Sequence, residues 1–419
     1  VADQASAVVG AKVELESLDV SLLHGIQLGR MHIQNPQGFT GDLLAADGAK
    51  LSYDPWSLLH GSIKVDELSL RKPVITLASD ARGTFNYEKL AGPTPASSKA
   101  GAASAPSAPV PTAAPPSLPR LVVSKLAVDG ARLAVVDDKN VGAFRIEGAS
   151  LESGLAMEAG VLTGTGKATV DSVVLADALF LKGVRAPLKL TRERLSLAPL
   201  EAKLAGGAVK GEIRVDFKPD LRYALQITAS GASVPTLLKE AGSAATLTGT
   251  LRANAKIEGT GGLLTVKGSG QVEIKDCKWP QAPLFGLLAA VLQVPDLADP
   301  RFDDCHVDFT LRGGQARTPV VSFKGPALEL TGQGVTNLVT SMVDYDLTLG
   351  LSPGLLAKVP GGTTRAAFKT RADGFGTIAF KVTGTTTAPK ADLATRFGKA
   401  VAIEAAKDGL GRLLSRKKK

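Results

Sequence analysis

Residues 209 to 227 alternate apolar and polar side chains so regularly that the chain can do little else there than form a two-faced β-hairpin. Val209, Gly211, Ile213, Val215 and Phe217 alternate with Lys210, Glu212, Arg214 and Asp216. After a Lys218-Pro219-Asp220 turn, Leu221, Tyr223, Leu225 and Ile227 alternate with Arg222, Ala224, Gln226 and Thr228. Successive strand side chains point to opposite faces, so this pattern gives one apolar face and one wet face. The same alternation returns at Leu247 to Ile257, Val266 to Ile274, Val307 to Leu311, Val343 to Leu351 and Ile378 to Val382, mostly separated by Gly, Pro, Asn and Asp. The spacing predicts a mainly β fold in which consecutive strands pair as one long, curved antiparallel sheet, groove-like or sandwich-like, with a few short helices and a C-terminal helix.

The helical signals are few. Pro283 to Gln293 reads as a short helix with Leu284, Leu287, Leu288 and Val291 on one side. Leu393 to Leu414 reads as an amphipathic helix carrying Leu393, Phe397, Ala400, Val401, Leu410, Leu413 and Leu414. Two helices cannot cover the apolar face of a dozen strands, so that face must curl on itself, pack on a second sheet, or meet something apolar from outside. From Pro93 to Pro119 there are eight prolines, and nearly everything else is Ala, Ser, Thr, Gly or Val, a composition that neither pairs nor packs. The expected organisation is therefore an N-terminal β segment over 1–92, a linker over 93–119, a β-sheet body over 120–392, and a basic amphipathic helix and tail over 393–419. Ser21-Leu22-Leu23-His24-Gly25 recurs as Ser57-Leu58-Leu59-His60-Gly61, and Leu126 to Leu133 echoes Leu68 to Ile75, which suggests a reused structural unit.

The sequence supports few chemistries. Gly350-Leu351-Ser352-Pro353-Gly354 has the spacing of a nucleophile elbow, but the required His must follow it, and all four His (His24, His32, His60, His306) precede Ser352. His24 and His60 have no flanking carboxylate or thiol and read as turn residues. Asp303, Asp304 and Asp308 read as the wet side of a strand entry, and Gly259-Thr260-Gly261-Gly262 lacks the Lys of a phosphate loop. No catalytic residue, metal ligand or cofactor is expected, and the chain reads as non-enzymatic. The net charge of +9 is spread along the strands, except for Arg412, Arg416, Lys417, Lys418 and Lys419 at the C-terminus. Without interleaved aromatics this tail points away from nucleic acid and toward anionic lipid headgroups. The longest apolar run, Leu284 to Val294, is about half of the ~20 residues that cross a bilayer. Since Val1 rather than Met stands first, an anchor or signal preceding it is expected.

Segment by segment the sequence resembles the AsmA family, whose members include bacterial relatives of the bridge-like lipid-transfer proteins. The amino-terminal likeness runs from Val13 to Leu90 and includes the Ser-Leu-Leu-His-Gly repeats, Asn35-Pro36-Gln37-Gly38-Phe39, Leu68-Ser69-Leu70-Arg71-Lys72-Pro73, and Asp80 through Tyr87. The carboxy-terminal likeness, from about Gly268 to Asp392, includes the helix at Leu284, Phe302, Leu328-Glu329-Leu330-Thr331-Gly332-Gln333-Gly334, and Val382 through Pro389. The resemblance implies a periplasmic protein held at the inner membrane by an anchor outside this chain, acting in envelope homeostasis or outer-membrane biogenesis and binding phospholipid or another acyl lipid. Alternation alone favours a sandwich core, whereas the resemblance favours an apolar trough lined by Val209, Ile213, Val215, Phe217, Leu221, Tyr223, Leu225 and Ile227. The alternative function is a scaffold that assists outer-membrane protein assembly through strand edges. In an oxidising compartment Cys277 and Cys305, on strands flanking the short helix, are expected to form a disulfide.

Overall fold

The computed structural model describes residues 6, 10–21, 25–54, 56, 63–80, 84–90, 121–136, 142–158, 161–175, 179–217, 222–243, 246–260, 263–280, 282–361, 365–386, 388–393 and 395–396. The protein is mainly β, built on one large, mixed, unclosed sheet of 24 strands with few helices. It divides into two compact units, 1–202 and 203–419. The Ser57 to Gly61 repeat, the Pro93 to Pro119 segment and the basic residues from Arg412 to Lys419 lie outside the described residues, as does most of the expected C-terminal helix.

The first unit begins with eight short strands: β1 (Val13–Leu15), β2 (Leu18–Ser21), β3 (Gly25–Leu28), β4 (Met31–Gln34), β5 (Asp42–Ala46), β6 (Gly48–Tyr53), β7 (Ile63–Arg71) and β8 (Val74–Ala78). Long strands follow: β9 (Leu121–Val136), β10 (Gly142–Glu158), β11 (Val161–Leu175), β12 (Leu179–Leu190) and β13 (Arg194–Leu204), the last running across the unit boundary. The short strands form two antiparallel ribbons, β1-β4-β5-β8 and β2-β3-β6-β7. Both ribbons end against β9, and there the sheet departs from the purely antiparallel order expected of it, because β7 and β8 pair with β9 in parallel. The break between them falls at Lys72, with φ of 43°, and Pro73, which has no N–H to give to a ladder. The register sets Leu68 beside Leu126 and Ile75 beside Leu133, so the two echoing stretches of sequence lie side by side. Glu67 ties three strands together, 3.2 Å from Lys50 on β6 and 3.4 Å from Lys125 on β9. The hydrogen bond from Lys50, helped by Lys125, outweighs burial and holds the Glu67 carboxyl below its usual range.

The second unit is an antiparallel meander: β14 (Gly207–Asp216), β15 (Arg222–Ser233), β16 (Thr248–Gly259), β17 (Lys267–Lys278), β18 (Arg301–Arg312), β19 (Gln315–Lys324), β20 (Leu328–Asn337), β21 (Val343–Leu351), β22 (Lys369–Thr370), β23 (Gly376–Gly384) and β24 (Pro389–Ala391). Consecutive strands pair throughout, with β21 passing over β22 to pair with β23. Helices interrupt the meander, among them α1 (Val234–Glu240) after β15, α2 (Pro283–Leu292) after β17 and α3 (Pro353–Ala357) after β21. Since the strands alternate direction, these helices fall at one end of the sheet and the tight hairpin tips at the other. Local chemistry sets the helix starts. Ser233 and Ser352 accept the N–H of Thr236 and Leu355, and each helix carries Pro in its first turn, where a missing N–H goes unnoticed. Gln293, left-handed at φ 53°, ends α2 just ahead of Pro295.

The core sits at the helix end of this unit. Phe285, Leu288 and Leu292 of α2, with Val294 and Leu297 after it, are at most 1 % exposed and pack on Phe302, Leu328, Leu330, Leu349, Leu351 and Phe380. The helix is where the sequence places it, but its buried stripe is not Leu284, Leu287, Leu288 and Val291. Leu287 is exposed, and the stripe runs through Phe285, Leu288 and Leu292.

Candidate functional site

Following the register across the second unit assembles a single apolar face. Ile213 stands opposite Leu225, Leu225 opposite Ile257, and Ala229 opposite Ala253. From there Ala253 faces Val272, Val272 faces Val307, and Val307 faces Val321. Phe323, Leu330, Leu349 and Ile378 carry the face on to β23. Directly opposite residues share a face, so this row is contiguous from β14 to β23. The other face is charged and internally paired, as in Lys275 with Asp304 at 2.7 Å, Lys381 with Asp344 at 2.8 Å and Arg371 with Glu329 at 2.8 Å.

The apolar face is not uniformly covered. At the helix end of β18, β20, β21 and β23 it is sealed by α2, α3 and the turn Pro295–Ala298. On β14 to β17 the middle of the face is only partly covered. Val209 is 1 % exposed, yet Ile213, Val215, Tyr223, Leu225 and Ile227 are only half-buried. Phe217, where the hairpin turns, is exposed, and Leu221 lies outside the described residues. The structure thus places the described residues of the sequence-predicted lining on one face, sealed at Val209 and half-open from Ile213 onward. Burial lifts the Tyr223 phenol above its usual range, as half-immersion in apolar surroundings should.

Between the sealed and open parts lies an apolar cavity of about 350 Å³ that the sequence alone did not reveal. Trp279, Leu284 and Phe285 form its helix side, and Val307, Val321, Phe323, Leu330, Tyr345 and Leu347 its floor. Volumes of this order hold small apolar ligands. At its floor the Tyr345 hydroxyl is 3.1 Å from Thr318 Oγ1 and 3.0 Å from Thr336 Oγ1. The sequence signal for this floor was the alternation in Val343 to Leu351, which singles out Tyr345 and Leu347. The helix side comes from a separate stretch of chain and carried no such signal.

Cys277 and Cys305 sit next to this region as buried free thiols. The hydrogen bond between them lowers Cys277 and raises Cys305, and burial pushes Cys305 further up, so Cys305 keeps its proton. Ser352, of the elbow-like motif, caps α3 with its side chain. Among the described residues no group of three His, Cys, Asp or Glu could hold a metal ion, and no helix is long and apolar enough to cross a membrane. Comparison with protein-family models, with curated proteins and with solved structures finds no match for this chain.

Proposed function

We propose that this is a non-enzymatic, inner-membrane-associated periplasmic protein of envelope homeostasis that binds or transfers phospholipid, or another acyl lipid, on the apolar face of its second unit. The observation that carries the reading is the contiguous apolar row from β14 to β21, half-open over β14 to β17 and leading to the cavity beneath α2. A sandwich core would leave Ile213 and Leu225 sealed, whereas a surface that exchanges acyl chains must hydrate when empty. Each methylene moved from water onto such a face contributes about 0.8 kcal/mol, so a single acyl chain supplies ample affinity without any charged partner. The envelope setting rests on the resemblance of the sequence to the AsmA family.

The test replaces two facing residues of the open stretch, Ile213→Asp with Leu225→Asp. Purified wild type should yield lipid on solvent extraction and mass spectrometry, and the double variant should yield almost none while keeping its β circular dichroism. Unfolding of the variant would show that these side chains are closed core, and undiminished lipid would place the site elsewhere. The same preparation, made without reductant and unfolded for thiol titration, should contain no free thiol if Cys277 and Cys305 pair in an oxidising compartment. Two free thiols would contradict that setting.

A further inference from the structure

The hairpin-tip end of the second unit carries an apolar patch that the lipid-binding face does not account for. Leu264 is 68 % exposed, Val339 62 % and Met342 50 %, with Leu338 also exposed beside them. These residues come from different hairpins and yet converge. A Cβ built on Gly314, in the β18–β19 turn, would lie 3.0 Å from Leu264 and 3.2 Å from Val339, so the two side chains flank that glycine. The tips are also tied to one another through their backbones: Leu338 N–H donates to Gly314 O, Thr386 N–H to Ser341 O, and Met342 bridges Thr385. The described residues of these turns carry no charge. Just below them Lys267, Arg312 and Arg317 are exposed on the wet face, and none makes an ion pair with a described residue. Glu258, across the ladder from Lys267, is the acidic side chain closest to them in register.

We propose that this edge docks on an anionic bilayer, with Leu264, Val339 and Met342 entering the interface and Lys267, Arg312 and Arg317 meeting lipid phosphates. Exposed apolar side chains rimmed by exposed cations match the depth profile of such a surface, where apolar contact and electrostatic attraction add. A partner protein seated by strand pairing would use an edge strand, whereas this patch lies on strand ends. The position also has a consequence that rests on the proposed function: Val343 and Tyr345 continue the apolar face from the patch toward the cavity, so an acyl chain leaving the bilayer would meet no charged side chain on that route.

The test is co-sedimentation of the full chain with phosphatidylcholine vesicles with and without phosphatidylglycerol, at low and high salt. Wild type should bind the phosphatidylglycerol vesicles and lose affinity with salt. Leu264→Ser with Val339→Ser, and separately Lys267→Gln with Arg312→Gln, should each weaken binding about tenfold or more. All four side chains are exposed, so circular dichroism should stay unchanged. Lipid extracted from the variants should equal that of wild type, which separates failure of docking from failure of the lipid-binding face. Unchanged sedimentation of both variants would overturn the proposal. So would a wild-type dimer, seen by light scattering, that the apolar variant dissociates.

Discussion

Val209 and Ile213 stand on one strand and one face, four positions apart, and their surroundings differ sharply. Val209 is sealed at 1 % exposure opposite Ala229, whereas Ile213 lies half-open in mid-strand. An Asp at the first position would bury an unpaired carboxylate, a loss of several kcal/mol, while an Asp at the second can reach water. Val209→Asp should therefore unfold the second unit at room temperature or drop its melting point severely, and Ile213→Asp should shift it little. Equal damage from both would mean that the stretch from Ile213 to Val215 is covered. The alternation made both residues apolar-facing from sequence alone, because a period of two fixes the face of every residue in a strand. It could not rank them, because how deeply each is covered depends on tertiary packing and not on the strand period.

At the level of elements, the hairpins were the most legible part. The register Ile213 to Leu225 and Val215 to Tyr223 follows from the position of the Lys218-Pro219-Asp220 turn and matches the ladder. The parallel pairing of β7 and β8 with β9 was less accessible, although the echo of Leu68 to Ile75 in Leu126 to Leu133 was its trace in the sequence. Pairing across the long Pro-rich interval leaves no turn to read. Helix α2 illustrates a different limit. Nearly every residue from Leu284 to Leu292 is apolar, so helical periodicity marks the element but not its inward side. The structure puts Leu288 at the centre of the core and Leu287 in the open. Leu288→Ala should then cost about 2 to 5 kcal/mol and Leu287→Ala less than about 1 kcal/mol in denaturant unfolding of the second unit. Similar losses at both positions would contradict this orientation.

Across the whole molecule, the mainly β class was readable because alternation and turn residues agree over most of the chain. The cavity was not, since its lining is drawn from β18, β19, β20, β21, β24, α2 and the segments just before α2 and β24. No local pattern encodes a space that exists only after strands from distant parts of the sequence have been laid side by side. What the second unit offers in return is a division of labour along its strands: helices seal one end of the apolar face, the middle stays half-open, and the hairpin tips expose Leu264, Val339 and Met342. The central claim, that acyl chains lie on this face, is tested most directly by photocrosslinking with a phosphatidylglycerol carrying a diazirine in its acyl chain, followed by peptide mass spectrometry. The account predicts labels on Ile213, Val215, Leu225, Ile257, Val272, Val307, Tyr345 and their neighbours on that face. Labels concentrated instead on Lys210, Arg214, Lys256 or other residues of the charged face, or no saturable labelling at all, would contradict it.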